Sequence, residues 1–314
     1  MNYVDYNFNW LVNRIQNQNK IEIQNHMKEK YLSLPDQTKQ SIEDFLNEYG
    51  YWGKLDYKNN EWEQLENKAN TFYNHLTDLE WLYKKLGDYR SKKLLFGILY
   101  NWYDYDFKTL KDLMDNTFCH YFDLDLIKCN NEVFVDLGAY IGDTVLDFIH
   151  SYGENSYRKI YCYEMTPITF QKLKNNLKNY KNIIYRCKAV SDKKELLHMN
   201  MNSNSYSANT LSDNGLEVDA VSLDDDISDN ITMIKMDIEG AEVKALEGAK
   251  NHIIQEHPKL LISVYHNHED IWKVPKMIEE ICPGYQFYLR FYGSNIFPTE
   301  IVLIAIYENN GKIA

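Results

Sequence analysis

From Glu132 onward, short apolar segments alternate with segments of helical character. Strands are predicted over residues 132–138, 159–165, 182–190, 231–238 and 259–266, and helices over residues 142–151, 167–179, 240–256 and 270–281. Continuous apolar strands that alternate with helices are typical of a parallel sheet covered on both faces. This alternation predicts an α/β fold and excludes an all-helical or all-β chain.

The last two predicted strands, residues 286–293 and 300–307, break this alternation. Only six residues separate them, and a parallel crossover needs a dozen or more. The two strands are therefore predicted to form an antiparallel hairpin at the edge of a sheet of five parallel strands.

Residues 1–118 have a different pattern, because their apolar residues recur at spacings of three and four. This periodicity predicts four to six amphipathic helices and no strand. The chain is accordingly divided into a helical N-terminal region, 1–118, and a sheet domain, 119–314. The first region is interpreted as an accessory cap or a dimerisation element.

Composition narrows the classes of partner and the compartment. The 314 residues contain 34 Lys and Arg against 46 Asp and Glu, a net charge of −12, which argues against a nucleic-acid partner. No apolar run approaches the ~18 residues of a membrane span, and the N-terminus does not resemble a signal peptide. Five cysteines without a CxxC motif indicate free thiols in a reducing cytoplasm.

The most informative motif, VFVDLGAYIGDT, follows the first predicted strand and opens the next helix. Gly138 permits a tight turn with close approach of a ligand, and Gly142 permits close packing of helix on strand. A dinucleotide fingerprint would have a glycine where Asp136 stands. A carboxylate there suits a ligand with an ammonium group and would repel a diphosphate.

An acidic residue ends the second predicted strand. Glu164 lies 22 residues beyond Gly142, close to the ~20-residue separation at which an acid binds ribose hydroxyls. An acid for an ammonium, a glycine turn and an acid for a ribose together predict S-adenosylmethionine; another nucleotide on a Rossmann-like sheet is the alternative. The predicted cofactor-binding residues are Asp136, Gly138, Ala139, Tyr140, Gly142, Asp143, Thr144, Glu164 and Asp237.

The sequence resembles the FkbM-type methyltransferases from about residue 74 to residue 307. The resemblance rests on VFVDLGAYIGDT, YCYEMTP, AVSLDD, IKMDIEGAE and LLISVYH, with IKMDIEGAE the most specific. It implies a Rossmann-like, seven-stranded class I methyltransferase fold. It also implies methyl transfer from S-adenosylmethionine, mostly to hydroxyl oxygens of sugars in polysaccharides and secondary metabolites.

Catalytic candidates follow two strands that would be neighbours in such a sheet. Asp237 and Glu239 follow the fourth parallel strand, and His266 ends the fifth. Methyl transfer to a hydroxyl needs a proton acceptor within hydrogen-bond reach. We hypothesise that His266 is the general base and that Asp237 orients it or the acceptor, with the reverse assignment open. Glu239 is alternatively part of a helix start, as is Glu242.

No metal site is predicted. Asp237, Glu239, His266 and His268 are suitable donors, yet Mg²⁺ prefers an oxygen shell with several waters, and no tight ligand spacing appears. A divalent metal therefore stays the less favoured alternative. The acidic run Asp224–Asp226 is interpreted as a solvated turn rather than a cation site.

The acceptor is expected to be a small molecule or a glycan. The polar loop at 200–215 and the aromatic residues Tyr140, Tyr265 and Tyr292 are candidates for contacting it. The leading hypothesis is an O-methyltransferase that modifies a sugar, polysaccharide or secondary metabolite. The alternatives are an amine, phosphorus-linked or nucleotide-activated acceptor, and, in another class, a non-catalytic interaction module. A homodimer formed through the N-terminal helices is a further hypothesis.

Overall fold

The computed structural model describes residues 2–49, 52–200, 210–212, 215–294 and 297–308. The chain divides into two compact units. Unit 1 contains residues 1–115, 264–276 and 286–303, and unit 2 contains residues 116–263, 277–285 and 304–314. The division passes through one helix and two strands, so it does not coincide with a single point in the sequence.

Six helices account for the N-terminal part of unit 1. They are α1 (Tyr3–Gln16), α2 (Lys20–Leu32), α3 (Asp36–Tyr49), α4 (Glu63–Lys85), α5 (Tyr89–Asp104) and α6 (Phe107–Lys111). At the starts of α2, α5 and α6, a polar side chain caps the helix that follows the break. Asn19 and Glu22 form a capping box at α2, and Asp88 accepts from the Ser91 N–H at α5. The expected all-helical N-terminal region is confirmed.

Unit 2 contains most of a seven-stranded sheet. Its strands are β1 (Glu132–Leu137), β2 (Tyr157–Tyr163), β3 (Ile183–Arg186), β8 (Met233–Met236), β9 (Lys259–Ser263), β10 (Tyr285–Phe291) and β11 (Ile301–Tyr307). The strand order is β10-β11-β9-β8-β1-β2-β3, and the five strands from β9 to β3 are parallel. The predicted Rossmann-like seven-stranded fold is confirmed. β11 lies between β9 and β10, which puts β10 at the edge.

The helices of the sheet region are short. They are α7 (Asp143–Tyr152), α8 (Pro167–Asn176), α9 (Leu223–Asp226), α10 (Glu242–Glu247), α11 (Lys250–Glu256) and α12 (Asp270–Ile281). The single helix predicted over 240–256 is wrong, because the chain leaves the helix after Glu247 and Gly248 packs against the Ser191 carbonyl. A Cβ on Gly248 would lie 2.1 Å from that oxygen.

A second sheet of four strands was not predicted. It consists of β4 (Ala189–Val190), β5 (Glu195–Asn200), β6 (Thr210–Ser212) and β7 (Leu216–Val221), in the order β4-β7-β5-β6. The strand expected over 182–190 is therefore two strands in different sheets. The expected loop at 200–215 contains β6 where it is described, and residues 201–209 and 213–214 lie outside the described residues.

The structure bears on two expectations from composition, which concern the cysteines and membrane-spanning segments. All five cysteines are described, and all are free thiols. Across the described ranges, no helix combines the length and the apolar character needed to cross a membrane.

Candidate active site

The turn between β1 and α7 has a backbone that requires glycine. Gly138 and Gly142 have φ values of +76° and +88°, in the left-handed region that side chains disfavour. A Cβ on Gly138 would also lie 1.9 Å from the Asp237 carbonyl oxygen. The glycine turn of β1 therefore fits directly against the end of β8.

Glu164, at the end of β2, is joined to this turn. Its Oε2 accepts a hydrogen bond from the Tyr140 N–H at 3.1 Å, and its Oε1 accepts from the Thr166 N–H and the Thr169 hydroxyl at 2.7 and 2.8 Å. Burial raises the pKa of Glu164, and these hydrogen bonds oppose the rise. The carboxylate is thus held at the carboxyl edge of the sheet in one orientation.

Asp136 is fully buried and has a cation beside it within the chain. The Lys235 ammonium lies 3.1 Å from Asp136 Oδ1 and donates to the Gly138 carbonyl at 2.9 Å. Burial by itself would lower the pKa of Lys235, but Asp136 and Asp237 outweigh it and the pKa is raised. The sequence predicted that the ammonium group of a ligand would lie beside Asp136. In the structure, the ammonium group of Lys235 lies there.

Asp237, directly after β8, accepts a hydrogen bond from a tyrosine that the sequence did not single out. The Tyr121 hydroxyl donates to Asp237 Oδ2 at 2.7 Å and lies 3.1 Å from the Ser263 hydroxyl. His120 stacks on Tyr121 with ring centroids 4.0 Å apart. Burial lowers the pKa of His120 to about 4 although Asp237 opposes the shift, so this imidazole is neutral at pH 7.

The two glutamates near Asp237 differ in role. Glu239 has a φ of +56° and lies in the turn before α10. Glu242 is the first residue of α10, and its buried carboxylate accepts from the Ile238 N–H at 3.0 Å. The helix-start interpretation therefore agrees with the position of Glu242, and Glu239 lies outside the helix.

His266 belongs to unit 1, whereas Asp136, Glu164 and Asp237 belong to unit 2. It lies three residues after the end of β9 and is only 2% exposed. Its neighbour Tyr265 is also buried, and the Tyr265 carbonyl accepts a hydrogen bond from the Trp52 indole at 2.8 Å. The loop that carries His266 is thereby fixed within unit 1.

The remaining predicted residues take part mainly in local hydrogen bonds that involve the backbone. The Ala139 N–H donates to the Tyr163 carbonyl at 2.9 Å. Asp143 is the first residue of α7, and its side chain accepts from the Thr144 N–H at 3.1 Å. Tyr140 and Tyr292 are half-buried.

The three carboxylates of the acidic run in α9 accept hydrogen bonds from other groups of the chain. Asp226 binds the Tyr163 hydroxyl, Arg186 and Lys188 at 2.6, 2.9 and 2.8 Å. Asp224 accepts from two backbone N–H groups of α11, and Asp225 accepts from the Ser222 hydroxyl. These contacts join α9 to its neighbours. Asp225 is exposed and Asp224 and Asp226 are half-buried, so the run is a short helix that is only partly solvated.

Sequence reasoning missed Lys235, Tyr121 and His120. Lys235 had a visible signal, because a lysine interrupts an otherwise apolar strand, and its neighbours in β8 are fully buried. Tyr121 and His120 lie in a segment without a regular pattern, where no periodicity indicates that they reach Asp237.

The fold and this edge of the sheet define a Rossmann-like α/β protein with the class I methyltransferase strand arrangement. A family model described as the methyltransferase FkbM domain matches residues 136–292, half of the chain. The chain belongs to the FkbM methyltransferase family.

Solved structures with similar folds include methyltransferases. Methyltransferase FkbM from Methylobacillus flagellatus KT is 24% identical, with a TM-score of 0.66, over 83% of this chain and 65% of that chain. This chain thus spans less than two thirds of that protein. Precorrin-6y C5,15-methyltransferase from Geobacter metallireducens GS-15 is 13% identical, with a TM-score of 0.38, over 59% of this chain and 85% of that chain. No curated protein matches the sequence.

Proposed function

We propose that the protein transfers a methyl group from S-adenosylmethionine to a hydroxyl oxygen of a sugar or glycan. Membership of the FkbM methyltransferase family supports methyl transfer. The observation that supports the cofactor most strongly is the hydrogen bond between the glycine turn and Glu164, which joins two elements predicted to bind the cofactor at the carboxyl edge of the sheet. Ligands of open α/β sheets bind at this edge.

In this proposal, Glu164 receives the ribose hydroxyls of the cofactor. A carboxylate already oriented by three hydrogen bonds needs no reorganisation when the ribose binds. Asp136 acts through Lys235, because the ion pair and the Lys235–Gly138 hydrogen bond hold the glycine turn in shape. The N-terminus of α7 and the backbone of the turn then contact the remainder of the cofactor.

The chemical step is an in-line displacement at the methyl carbon. The acceptor oxygen must approach to roughly 3–3.5 Å, and its proton must leave as charge develops. We assign the general base to His266. We assign an orienting role to Asp237, because the hydrogen bond that it accepts from the Tyr121 hydroxyl fixes its position.

No metal is assigned to this reaction. The carboxylates of Asp237 and Glu242 approach within 4.8 Å of each other, so the assignment needs a direct test. Methyl transfer measured with EDTA and with added Mg²⁺ should give equal rates. A rate that falls with EDTA and returns with Mg²⁺ would contradict it.

A methyl-transfer assay tests the acceptor and the base. Labelled S-adenosylmethionine is incubated with oligosaccharides, sugar nucleotides, amines and phosphorus-linked small molecules, and the methylated product is located by mass spectrometry. A methyl ether on a sugar is expected; methylation of amines alone would overturn the acceptor class. On the true acceptor, His266→Ala should lower the rate about 100-fold or more, and His150→Ala, at an exposed position of α7, should not.

A further inference from the structure

The inner face of α4 carries three buried polar side chains. Gln64, Lys68 and Thr71 follow one another at spacings of four and three, which places them on one face of the helix. None is more than 1% exposed. Buried polar groups almost always have hydrogen-bond partners. Among the residues that the structure describes, however, the side-chain amide of Gln64 and the hydroxyl of Thr71 have none.

The ammonium of Lys68 lies among aromatic rings. Its Nζ is 5.6–5.9 Å from four ring centroids, those of Trp52, Trp102, Tyr105 and Phe297. Cation–π attraction at such distances only partly replaces the hydration of a buried ammonium. Burial therefore lowers the pKa of Lys68 to about 7, and no described carboxylate opposes the shift. Unit 1 thus buries a cation without an anion beside it in the described ranges.

Two of the surrounding rings add unused donors. The Trp102 indole N–H and the Tyr105 hydroxyl are buried and have no hydrogen-bond partner within the described part of the chain. Lysine and tryptophan can only donate, so they cannot satisfy each other. The five side chains Gln64, Lys68, Thr71, Trp102 and Tyr105, which we call the Lys68 cluster, therefore present an excess of donors.

We propose that the Lys68 cluster binds the carboxylate or phosphate group of an acidic sugar. An oxyanion would accept hydrogen bonds from the donors and neutralise the ammonium, and charge-assisted hydrogen bonds of this kind are the strong ones. The four surrounding rings are only 2–6% exposed and keep water away from the bound oxyanion, which strengthens these hydrogen bonds. A neutral sugar would leave the ammonium unpaired, and a cationic ligand would be repelled. That this ligand is the methyl acceptor rests on the proposed function.

Binding of the anion should be coupled to uptake of a proton. Among the described residues, three titratable side chains besides Lys68 border this region: Tyr105, His268 and Tyr31, whose ring centroid lies 5.6 Å from that of Tyr105. Burial raises the pKa of Tyr105 and of Tyr31 and lowers the pKa of His268 to about 4, so all three are neutral between pH 7 and 8. The Tyr31 hydroxyl donates to the buried Glu43 carboxylate at 2.7 Å. Lys68 is partly deprotonated there, and an oxyanion favours its charged form.

Calorimetric titration of the full chain tests the inference. The probes are glucuronate, glucose 6-phosphate and the neutral sugar methyl glucoside, at pH 7. At least one acidic sugar is expected to bind about tenfold or more tightly than the neutral sugar. Tighter binding of glucuronate assigns the anion as a carboxylate, and tighter binding of glucose 6-phosphate assigns it as a phosphate. If neither acidic sugar exceeds the neutral one, the inference is wrong.

Variants connect the binding to the cluster. Lys68→Met should abolish the preference for the acidic sugar, and Trp102→Phe, which keeps a ring but removes the N–H, should weaken it a few-fold. The matched control is Lys84→Met, at an exposed position of the same helix, which should leave it unchanged. Circular dichroism confirms that each variant is folded. Unchanged binding to folded Lys68→Met would overturn the inference.

Two further readouts tie the bound anion to Lys68 and distinguish its binding from that of the cofactor. At pH 8, titrations in buffers of different ionisation enthalpy should reveal proton uptake by wild type and none by Lys68→Met. Binding of S-adenosylhomocysteine is measured on the same samples. Loss of cofactor binding with retained acidic-sugar binding counts against the proposed function only; the converse counts against this inference only.

Discussion

Among the described residues, Lys68 in unit 1 and Lys235 in unit 2 are each no more than 2% exposed, and the two lysines have opposite surroundings. Lys235 in unit 2 has the Asp136 carboxylate at 3.1 Å. Lys68 in unit 1 has aromatic rings and no described carboxylate. The pKa of Lys235 is raised and that of Lys68 falls to about 7. Similar burial therefore yields a structural ion pair in unit 2, and in unit 1 a lysine with no carboxylate beside it among the described residues.

The different surroundings of the two lysines determine whether each can bind a ligand. Lys235 uses its charge to hold Asp136 and the Gly138 carbonyl in place, so its binding capacity is spent within the fold. Lys68 lowers the stability of its unit and keeps its capacity for a ligand. Functional sites commonly reduce stability in this way.

The largest expected effect on stability comes from removing the Asp136–Lys235 ion pair in unit 2. Lys235→Met leaves the Asp136 carboxylate buried and alone, and it should lower the free energy of unfolding by about 3–5 kcal/mol. Urea denaturation at pH 7 measures this change. The double variant Asp136→Asn/Lys235→Met should recover part of the loss. A single variant as stable as wild type would show that the ion pair does not support the turn.

The same substitution in unit 1 should have the opposite sign. Lys68→Met removes a buried charge that has no counter-ion, so the free energy of unfolding should rise by about 1–3 kcal/mol at pH 7. Urea denaturation is again the measurement, with Lys84→Met as the exposed control. A loss of stability would contradict the description of Lys68 as an unpaired cation.

The pH dependence of stability sharpens the comparison. Between the folded pKa of Lys68, about 7, and its unfolded value near 10.5, the unfolded state binds more protons. Stability from this group therefore rises with pH across that window, by at most about 1.4 kcal/mol per pH unit. The advantage of Lys68→Met over wild type should shrink from pH 7 to pH 9. An advantage that grows with pH would contradict the lowered pKa.

A smaller effect concerns Asp237. Tyr121→Phe removes the hydroxyl that donates to Asp237 and contacts Ser263. We expect a loss of about 1 kcal/mol in stability and a several-fold fall in kcat with little change in KM. Steady-state kinetics on the true acceptor test this expectation. Unchanged kcat would remove Tyr121 from the positioning of Asp237.

Sequence patterns predicted the elements of the sheet more fully than the partners within it. Apolar runs indicated all seven strands, because burial on both faces leaves a local signature. The glycines of the turn were predicted because their backbone conformation is a local requirement. The four-stranded sheet was missed for two reasons: Ala189–Val190 was merged with Ile183–Arg186 into one predicted strand, and Leu216–Val221 alternates apolar and polar residues and is not a continuous apolar run.

The electrostatics of the candidate site could not be read from the sequence. The ion pair of Asp136 and Lys235 joins residues that are distant in the chain, and only the parallel register of β1 and β8 aligns them. Lys68 interrupts the apolar face of α4, which is visible in the sequence. That it lies among aromatic rings of other segments is not visible there.

The central claim is that the edge of the sheet with the glycine turn and Glu164 binds S-adenosylmethionine. Calorimetric titration with S-adenosylhomocysteine tests it directly, on wild type, Glu164→Gln and the exposed control Glu247→Gln. We predict low-micromolar binding by wild type and the control, and binding at least about tenfold weaker by Glu164→Gln. Absence of binding by wild type, or equal binding by Glu164→Gln, would contradict the claim.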